Sequence, residues 1–432
     1  MNPVSSTSPQ RPDDVVVTVG EGDAAAAVRR ARPAQRDWAA AEPAARAAAL
    51  AGLADAVAAS DLAALIVREV GKPVTEARAE VQRAAAILRY YAQQAYDPIG
   101  ETYAGRLSFT VRRPRGVAGL ITPWNFPLAI PVWKAAPALA FGNAVVLKPA
   151  PAATACALRL AELAADHLPA GLCAVVPGGA DVGRVLVGTA DAVSFTGSGP
   201  VGRWVAGAAA ARGVPAQCEM GGLSATIVLP DANLGAAAAD IAAAAMAFAG
   251  QKCTATKRVI AVGADLADAL RAAVADLAVG DPADPATAVG PVIDENARRR
   301  VVAAGGRALD GAGWYVRPTV VTDPASRLHR EEVFGPICTL TAAADADAAI
   351  ALANATDYGL VTSLYTGDLD AALRYVDRCE SGQVKVNMPT TGVDFHLPFG
   401  GERHSGYGGK EQGKAAAAFY TRSRTIQISG PQ

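Results

Sequence analysis

Short apolar runs separated by longer helical stretches limit this chain's choice of fold more than any other feature. Between Val117 and Leu229 the runs VAGLI, NAVVL, CAVVP, AVSFT and ATIVL are aliphatic or β-branched with little polar alternation. Strands buried on both faces read that way, and helices between them are what parallel neighbours require, so the segment predicts a parallel α/β sheet. A second series follows through RVIAVG, WYVRPTVV, PICTLT, TSLYT and QVKVN. From Asp23 to Gln94, apolar residues recur every three or four positions, the period of amphipathic helices. The segment after Pro98-Ile99-Gly100 alternates with a period of two and predicts a hairpin over Tyr103–Arg113, and TIQIS is a candidate closing strand. The first dozen residues are polar and predict no ordered element.

A chain of 432 residues that is 51% hydrophobic can bury a large core in two or three domains. Its formal net charge of -1 offers no electrostatic reason to bind nucleic acid or an anionic membrane. The start, MNPVSSTSPQRPDD, lacks a basic segment followed by an apolar one, and the apolar stretches are interrupted by prolines or by charges such as Asp240. A reduced, cytoplasmic protein with free thiols is expected. No two of its cysteines form a C-x-x-C pair and none has histidines at ligand spacing, which argues against a metal site and a disulfide framework.

Five cysteines, Cys156, Cys173, Cys218, Cys338 and Cys379, read as small core residues. Cys253 stands apart in FAGQKCTATKR, flanked by Lys252, Lys257 and Arg258. Nearby positive charge lowers a thiol pKa and favours the thiolate, so Cys253 is either a nucleophile or a surface cysteine beside lysines.

The loop SFTGSGPVG obeys G-x-G-x-x-G at Gly197, Gly199 and Gly202, after a predicted strand, DAVSF, and before a predicted helix, VGRWVAGAAA. Free N–H groups at such a helix start hold phosphate, and glycines permit its close approach; the same pattern also makes an ordinary strand-to-helix turn. Glu219 follows Gly197 by 22 residues, a spacing that suits a ribose ligand, yet its place in CEMGG equally suits a general base.

The stretch ITPWNFPLAIPVWKAAPALAFGNAVVLKPA, residues 121–150, followed in order by SFTGS, EMGG, GQKC, EEVFGP, VKVN and PFGG, resembles the NAD(P)-dependent aldehyde dehydrogenases over nearly the whole chain. The resemblance implies two Rossmann-like α/β domains and a small bridging β-sheet. Residues 1–101 and 115–222 would bind the cofactor and 223–406 would carry catalysis. Residues 102–114 and 420–430 would form bridging strands of a homodimer or homotetramer. It further implies that Cys253 is the nucleophile, that Asn125 and the Cys253 N–H form the oxyanion hole, and that Glu219 is the general base. Lys134 and Glu411 fall where a proton relay is placed; a structural ion pair is the alternative. Gly197 and Ser198 would meet the pyrophosphate, Lys148 the adenosine ribose, and Glu332, with Phe334 beside it, the nicotinamide ribose. Thr122, Trp124, Gly178 and Phe195 would line the same site.

Pro151 stands where many NAD-preferring relatives carry a glutamate that holds both ribose hydroxyls. Without that carboxylate, NADP is expected to be accepted alongside NAD. Leu223-Ser224-Ala225 replace the lysine, asparagine and proline usual after the two glycines of the base motif, and RVVAAGGRALDGAGWYV looks shortened by the end of a helix and a strand. The closing region, VNMPTTGVDFHLPFGGERHSGYGGKEQG with FYTRSRTI, most resembles the 2-oxoglutarate semialdehyde (2,5-dioxopentanoate) dehydrogenases. No arginine is assigned to a substrate carboxylate: Arg113, Arg298–Arg300 and Arg403 read as surface charge. A CoA-acylating relative, a scaffold without turnover and a thiol esterase remain as alternatives. Glu219 argues against the first, joint retention of Asn125, Glu219, Cys253 and Glu332 against the second, and the glycine loop against the third.

Overall fold

Two six-stranded sheets carry the architecture. In the first, Cys173–Val175, Ala144–Pro149, Val117–Thr122, Ala192–Thr196 and Ala216–Glu219 run parallel in that spatial order, with Gly406–Tyr407 as an antiparallel edge. The chain builds outward from Val117–Thr122 on one side, then returns to its other side with Ala192–Thr196. The carboxyl ends of those two strands therefore flank a topological switch point, where open α/β sheets leave a crevice for ligands. The second sheet runs Thr319–Val321, Ile337–Ala343, Arg258–Val262, Ala225–Val228, Val361–Tyr365, Gln383–Val386, every pairing parallel. The computed structural model describes residues 3–97, 100–104, 107–263 and 266–429.

Helices Ala24–Ala40, Pro43–Ala58, Leu62–Val70 and Val74–Gln94 follow the predicted periodicity. Their limits have local causes. The Asp23 side chain accepts from the Ala26 N–H at 2.8 Å, and Gly71, at φ 67°, closes the third helix in the left-handed conformation that glycine adopts at no steric cost. On the fourth helix, Glu80 accepts from the N–H groups of Leu128 (3.0 Å) and Ala129 (2.9 Å), satisfying free donors at the start of helix Ala129–Ala140. Its other oxygen pairs with the fully buried Lys72, whose ammonium lies 3.7 Å from the Phe126 ring centroid. These contacts hold the loop that carries Trp124 and Asn125.

Leu107–Pro114 pairs antiparallel with Thr102–Tyr103 and, from Leu107↔Ile428 to Pro114↔Thr421, with the closing strand Thr421–Ile428. The hairpin's turn at residues 105–106, the break at Pro98-Ile99 and Gly430 of the closing segment lie outside the described residues. The amino-terminal segment departs from expectation: Pro3–Ser8 pairs antiparallel with Arg11–Gly20, while Met1 and Asn2 lie outside the described residues. Its inward side chains are Val4, Ser6 and Ser8, so polar composition concealed the strand. Ser6 Oγ donates at 2.6 Å to buried Glu69, which also receives the N–H groups of Ala155 (2.7 Å) and Cys156 (2.8 Å).

The shortened segment keeps a nine-residue helix, Glu295–Ala303, and a trace of the strand: Arg307–Ala308 pairs with Val316–Arg317. Among the described residues no single helix is long and apolar enough to cross a membrane, and no cluster of side chains could hold a metal ion.

Candidate active site

The turn that leads to Cys253 is built from a run of left-handed residues: Phe248 and Ala249, each at φ 52°, then Gly250 at φ 61°. Two non-glycine residues in this region store strain of order 1–3 kcal/mol each, sustained only by tight surroundings. Phe248 is fully buried and meets the Trp124 ring edge-on at 6.4 Å. A Cβ at Gly250 would lie 2.2 Å from the Gly335 carbonyl oxygen, so glycine is required there. Buried Gln251 ties the loop down, accepting from the Ile293 N–H at 2.8 Å and donating to the Phe248 and Pro291 carbonyls at 3.3 Å. The G-Q before the cysteine is thus a device for positioning backbone.

The flanking cations do not serve the thiol as expected. Lys252 pairs with Glu76 at 2.7 Å. Lys257 donates to the carbonyls of Gly250 (2.9 Å) and Gly335 (2.8 Å), and Arg258 to those of Leu223, Leu352 and Ala353. Burial, with the charges of Glu219 and Glu332 behind it, pushes the half-buried Cys253 thiol up to about 12, against the pull of the Cys253 and Thr254 N–H groups. The resting group is a thiol, and a nucleophilic role requires a base.

Asn125, 4% exposed, donates its Nδ2 to the Gln251 carbonyl at 2.9 Å and so overhangs the cysteine loop. Glu219 ends the strand Ala216–Glu219, also 4% exposed. Its Oε2 accepts from the Gly401 N–H at 3.2 Å, and a Cβ at Gly400 would sit 2.5 Å from its Oε1, which explains the first glycine of PFGG; a Cβ at the second, Gly401, would lie 2.5 Å from Ser405 Cβ. Burial, reinforced by the Glu411 charge, holds the Glu219 carboxyl well above the usual range, with Lys134 opposing. Glu332 accepts from the Gly222 N–H at 3.2 Å, and a Cβ at Gly221 would fall 1.9 Å from its Oε2. Burial raises this carboxyl too, while the Gly222 N–H and Lys257 oppose. The divergent Leu223-Ser224-Ala225 keeps the loop closed, because the Ser224 carbonyl accepts from the N–H groups of Lys257 (2.9 Å) and Arg258 (3.1 Å).

Behind Glu219 lies a buried network. Lys134 pairs with Glu411 Oε1 and donates to Ser194 Oγ at 2.8 Å; Trp133 Nε1 donates to Glu411 Oε2 at 2.6 Å, and Gln217 Nε2 to Ser194 Oγ at 3.0 Å. Trp133, Ser194 and Gln217 carry no motif signal of their own.

Thr122 and Thr196 end the two strands that flank the switch point. Thr122 Oγ1 and Thr196 Oγ1 are buried there without a partner, as a site built for a polar ligand would leave them. The Gly197 N–H is already given to the Glu219 carbonyl at 3.0 Å, while Ser198 opens the next helix with a hydroxyl making no capping bond. A Cβ at Gly197 would press at 2.6 Å on the Phe195 ring. Lys148 donates to the Pro149 and Gly178 carbonyls, both at 2.8 Å, and burial pulls it down to about 8. Phe334 meets Trp124 edge-on at 5.7 Å. The unpartnered hydroxyls of Thr122 and Thr196 and the helix start at Ser198 fit the expected cofactor.

Residues 3–426 match the aldehyde dehydrogenase family. The chain belongs to the aldehyde dehydrogenase family. It is 40% identical to the alpha-ketoglutarate semialdehyde dehydrogenase of Haloferax volcanii, across 98% of this chain and 95% of that one. It is 37% identical to the 2,5-dioxopentanoate dehydrogenase of Saccharolobus solfataricus, across 85% and 83%. Among solved structures it is similar to the betaine aldehyde dehydrogenase of Staphylococcus aureus in complex with NAD+, with a TM-score of 0.94 and 30% identity over 100% of this chain and 92% of that one. This aldehyde dehydrogenase is an oxidoreductase that uses NAD(P) to oxidise an aldehyde.

Cys253 lines a cavity of about 240 Å³ together with Phe126, Trp133, Phe399, Thr391 and Val393, with Arg83 in its wall. It is below the roughly 300–1,000 Å³ of pockets for drug-sized ligands and suits a small aldehyde. Sequence reasoning missed Arg83; its position four and seven residues beyond Ala79 and Glu76 on one helix face was the available signal.

Proposed function

We propose that this aldehyde dehydrogenase oxidises a small semialdehyde, 2-oxoglutarate semialdehyde or a close relative, to the carboxylic acid. The observation that carries the mechanism is the convergence of Asn125, Glu219 and Cys253 from three separate segments, with Asn125 bonded to Gln251 and the Glu219 charge acting on the Cys253 thiol. Glu219 takes the thiol proton as the sulfur attacks the aldehyde carbon, and the carbonyl oxygen gathers negative charge between Asn125 Nδ2 and the Cys253 N–H. One donor of this kind contributes roughly 3–4 kcal/mol to the transition state. The dinucleotide, when bound, supplies the acceptor for hydride leaving that carbon. A thioester on Cys253 remains; Glu219 then deprotonates the water that hydrolyses it. Lys134 and Glu411 stand behind Glu219 to pass its proton on.

Ser198, Lys148, Thr122 and Glu332 would hold the cofactor. Pro151 opens the turn after Lys148 without a carboxylate to repel a 2′-phosphate, which supports acceptance of NADP as well as NAD. The closing strand Thr421–Ile428 is paired on one side, within the sheet, and its exposed other edge supports assembly as a homodimer or homotetramer. Free thiols at all six cysteines support a reduced, cytoplasmic setting.

The test is the near-ultraviolet absorbance of reduced nicotinamide, followed with NAD or NADP and a panel led by 2-oxoglutarate and succinate semialdehydes, with Cys253→Ala as control. Reduction that depends on Cys253 and ranks 2-oxoglutarate semialdehyde first is the expected result. Preference for neutral aldehydes overturns the substrate assignment, and acyl-CoA formation overturns the hydrolytic one.

A further inference from the structure

The helix Val74–Gln94 forms one wall of the cavity that reaches Cys253, through Glu76, Ala79, Glu80 and Arg83. Two of the charges in that wall are neutralised within the protein. Glu76 pairs with Lys252, and Glu80 with Lys72. Arg83 is different: its Nε and Nη2 are shut away from solvent and have no hydrogen-bond partner. Asp394, on the loop across the cavity, is close enough to raise its pKa, yet the two form no ion pair, and burial holds the guanidinium below its ordinary value. The facing loop is itself anchored, since Lys385 Nζ donates to the carbonyls of Thr390 (3.2 Å), Thr391 (2.7 Å) and Gly392 (2.5 Å). Lys385 is therefore occupied, and among the described residues lining the cavity one positive charge is left over.

Arg83 is half-buried, and two guanidinium nitrogens shut from solvent without a partner are unfavourable in the free protein, whereas the planar fork of N–H donors matches a carboxylate in two-point contact. Geometry sets where that carboxylate would lie. Glu76 marks the Cys253 end of the wall through its bond to Lys252, and Arg83 lies seven residues on, roughly 10 Å along the helix axis. Helical side chains lean back toward the helix start, so the guanidinium reaches part of the way toward Cys253. The remaining span suits a carboxylate several bonds from the aldehyde carbon, and the apolar Phe126, Trp133 and Phe399 of the lining suit the methylenes.

We propose that Arg83 anchors the carboxylate of the substrate and restricts this site to short aldehydes ending in an anion. The assignment rests on the semialdehyde reading above and names the side chain that enforces it. Arg83 does not touch the reacting carbon; it holds the other end of the molecule and so sets which aldehydes reach Cys253.

The test compares kcat/KM for 2-oxoglutarate semialdehyde, succinate semialdehyde and neutral pentanal in the wild type, Arg83→Met and Arg83→Lys. Arg83→Met is expected to lower the ratio of carboxylated to neutral substrate by roughly 100-fold, mainly through KM, with Arg83→Lys intermediate. Glutarate, added as an inhibitor of pentanal oxidation, is expected to lose potency in the same order. A ratio and a glutarate affinity that do not change in Arg83→Met overturn the anchor while leaving the semialdehyde reading standing. A wild type that already prefers pentanal overturns that reading itself. If Arg83→Met does not fold, the Arg83→Lys ratio decides: unchanged discrimination with unchanged glutarate inhibition sinks the proposal.

Discussion

Lys134 and Glu411, 277 residues apart in the chain, form a fully buried ion pair behind the carboxyl of Glu219. The pair is bonded on every side, by Ser194, Gln217 and Trp133, and its charge reaches Glu219 from both members. Breaking one partner strands the other. Lys134→Met is expected to cost about 3–5 kcal/mol of stability, and Lys134→Met with Glu411→Gln much less, because the second change removes the orphaned charge. Urea unfolding of both variants measures this; equal losses would contradict it.

Cys253 is a thiol at neutral pH, held up to about 12. Alkylation of Cys253 by iodoacetamide in the cofactor-free protein should rise about tenfold per pH unit from neutrality and continue well past the range where an ordinary cysteine levels off. A plateau below pH 8 would show that the flanking lysines act on the thiol after all.

The Glu219 carboxyl sits well above its ordinary 4.5, so the folded protein keeps a proton that the unfolded chain releases. Its contribution to stability is greatest below the ordinary glutamate range and falls as pH rises from there toward the folded value. Glu219→Gln should therefore match the wild type in stability near the ordinary value and exceed it increasingly toward neutral pH. Thermal melts across that range would reveal the opposite trend if the carboxyl were stabilised as the anion.

Gly400, at φ 158°, leaves no room for a side chain beside the base. Gly400→Ala would press a methyl group on Glu219 Oε1 from 2.5 Å and displace the base. A displacement of about an ångström is expected to lower steady-state turnover by roughly 100-fold. The first-turnover burst of reduced cofactor should fall with it, since Glu219 serves as base in both acylation and hydrolysis; a burst that persists would confine Glu219 to the hydrolytic step.

Thr122→Val removes a buried hydroxyl that has no partner in the protein. Stability of the cofactor-free enzyme should rise by about 1 kcal/mol, because an unsatisfied polar atom is unfavourable in the core. The Kd for NAD or NADP should weaken at the same time. Titration calorimetry and a melt together check this, and unchanged affinity would remove Thr122 from the cofactor site.

Legibility of this protein in its sequence tracks the range of the interactions. Parallel strands, helices and the turn at Gly197 are set by residues within a few positions of one another, and the motif order from PWNFP to PFGG points to the family and to Asn125, Glu219 and Cys253. What surrounds those residues is decided at long range. Lys252 beside Cys253 looked like an activating charge until its partner, Glu76, arrived from another part of the chain. Ser6 looked like disorder until Glu69 gave its hydroxyl a place in the core. Arg83 carried no signal of its own until the fold turned its helix face onto the cavity beside Cys253 and left two of its buried nitrogens without a hydrogen-bond partner. Periodicity and motifs determine backbone and the identity of the reacting groups, because those depend on local stereochemistry and residue type. Which charge is neutralised and which is left to meet a ligand depends on segments brought together from distant positions, and tertiary structure alone decides it.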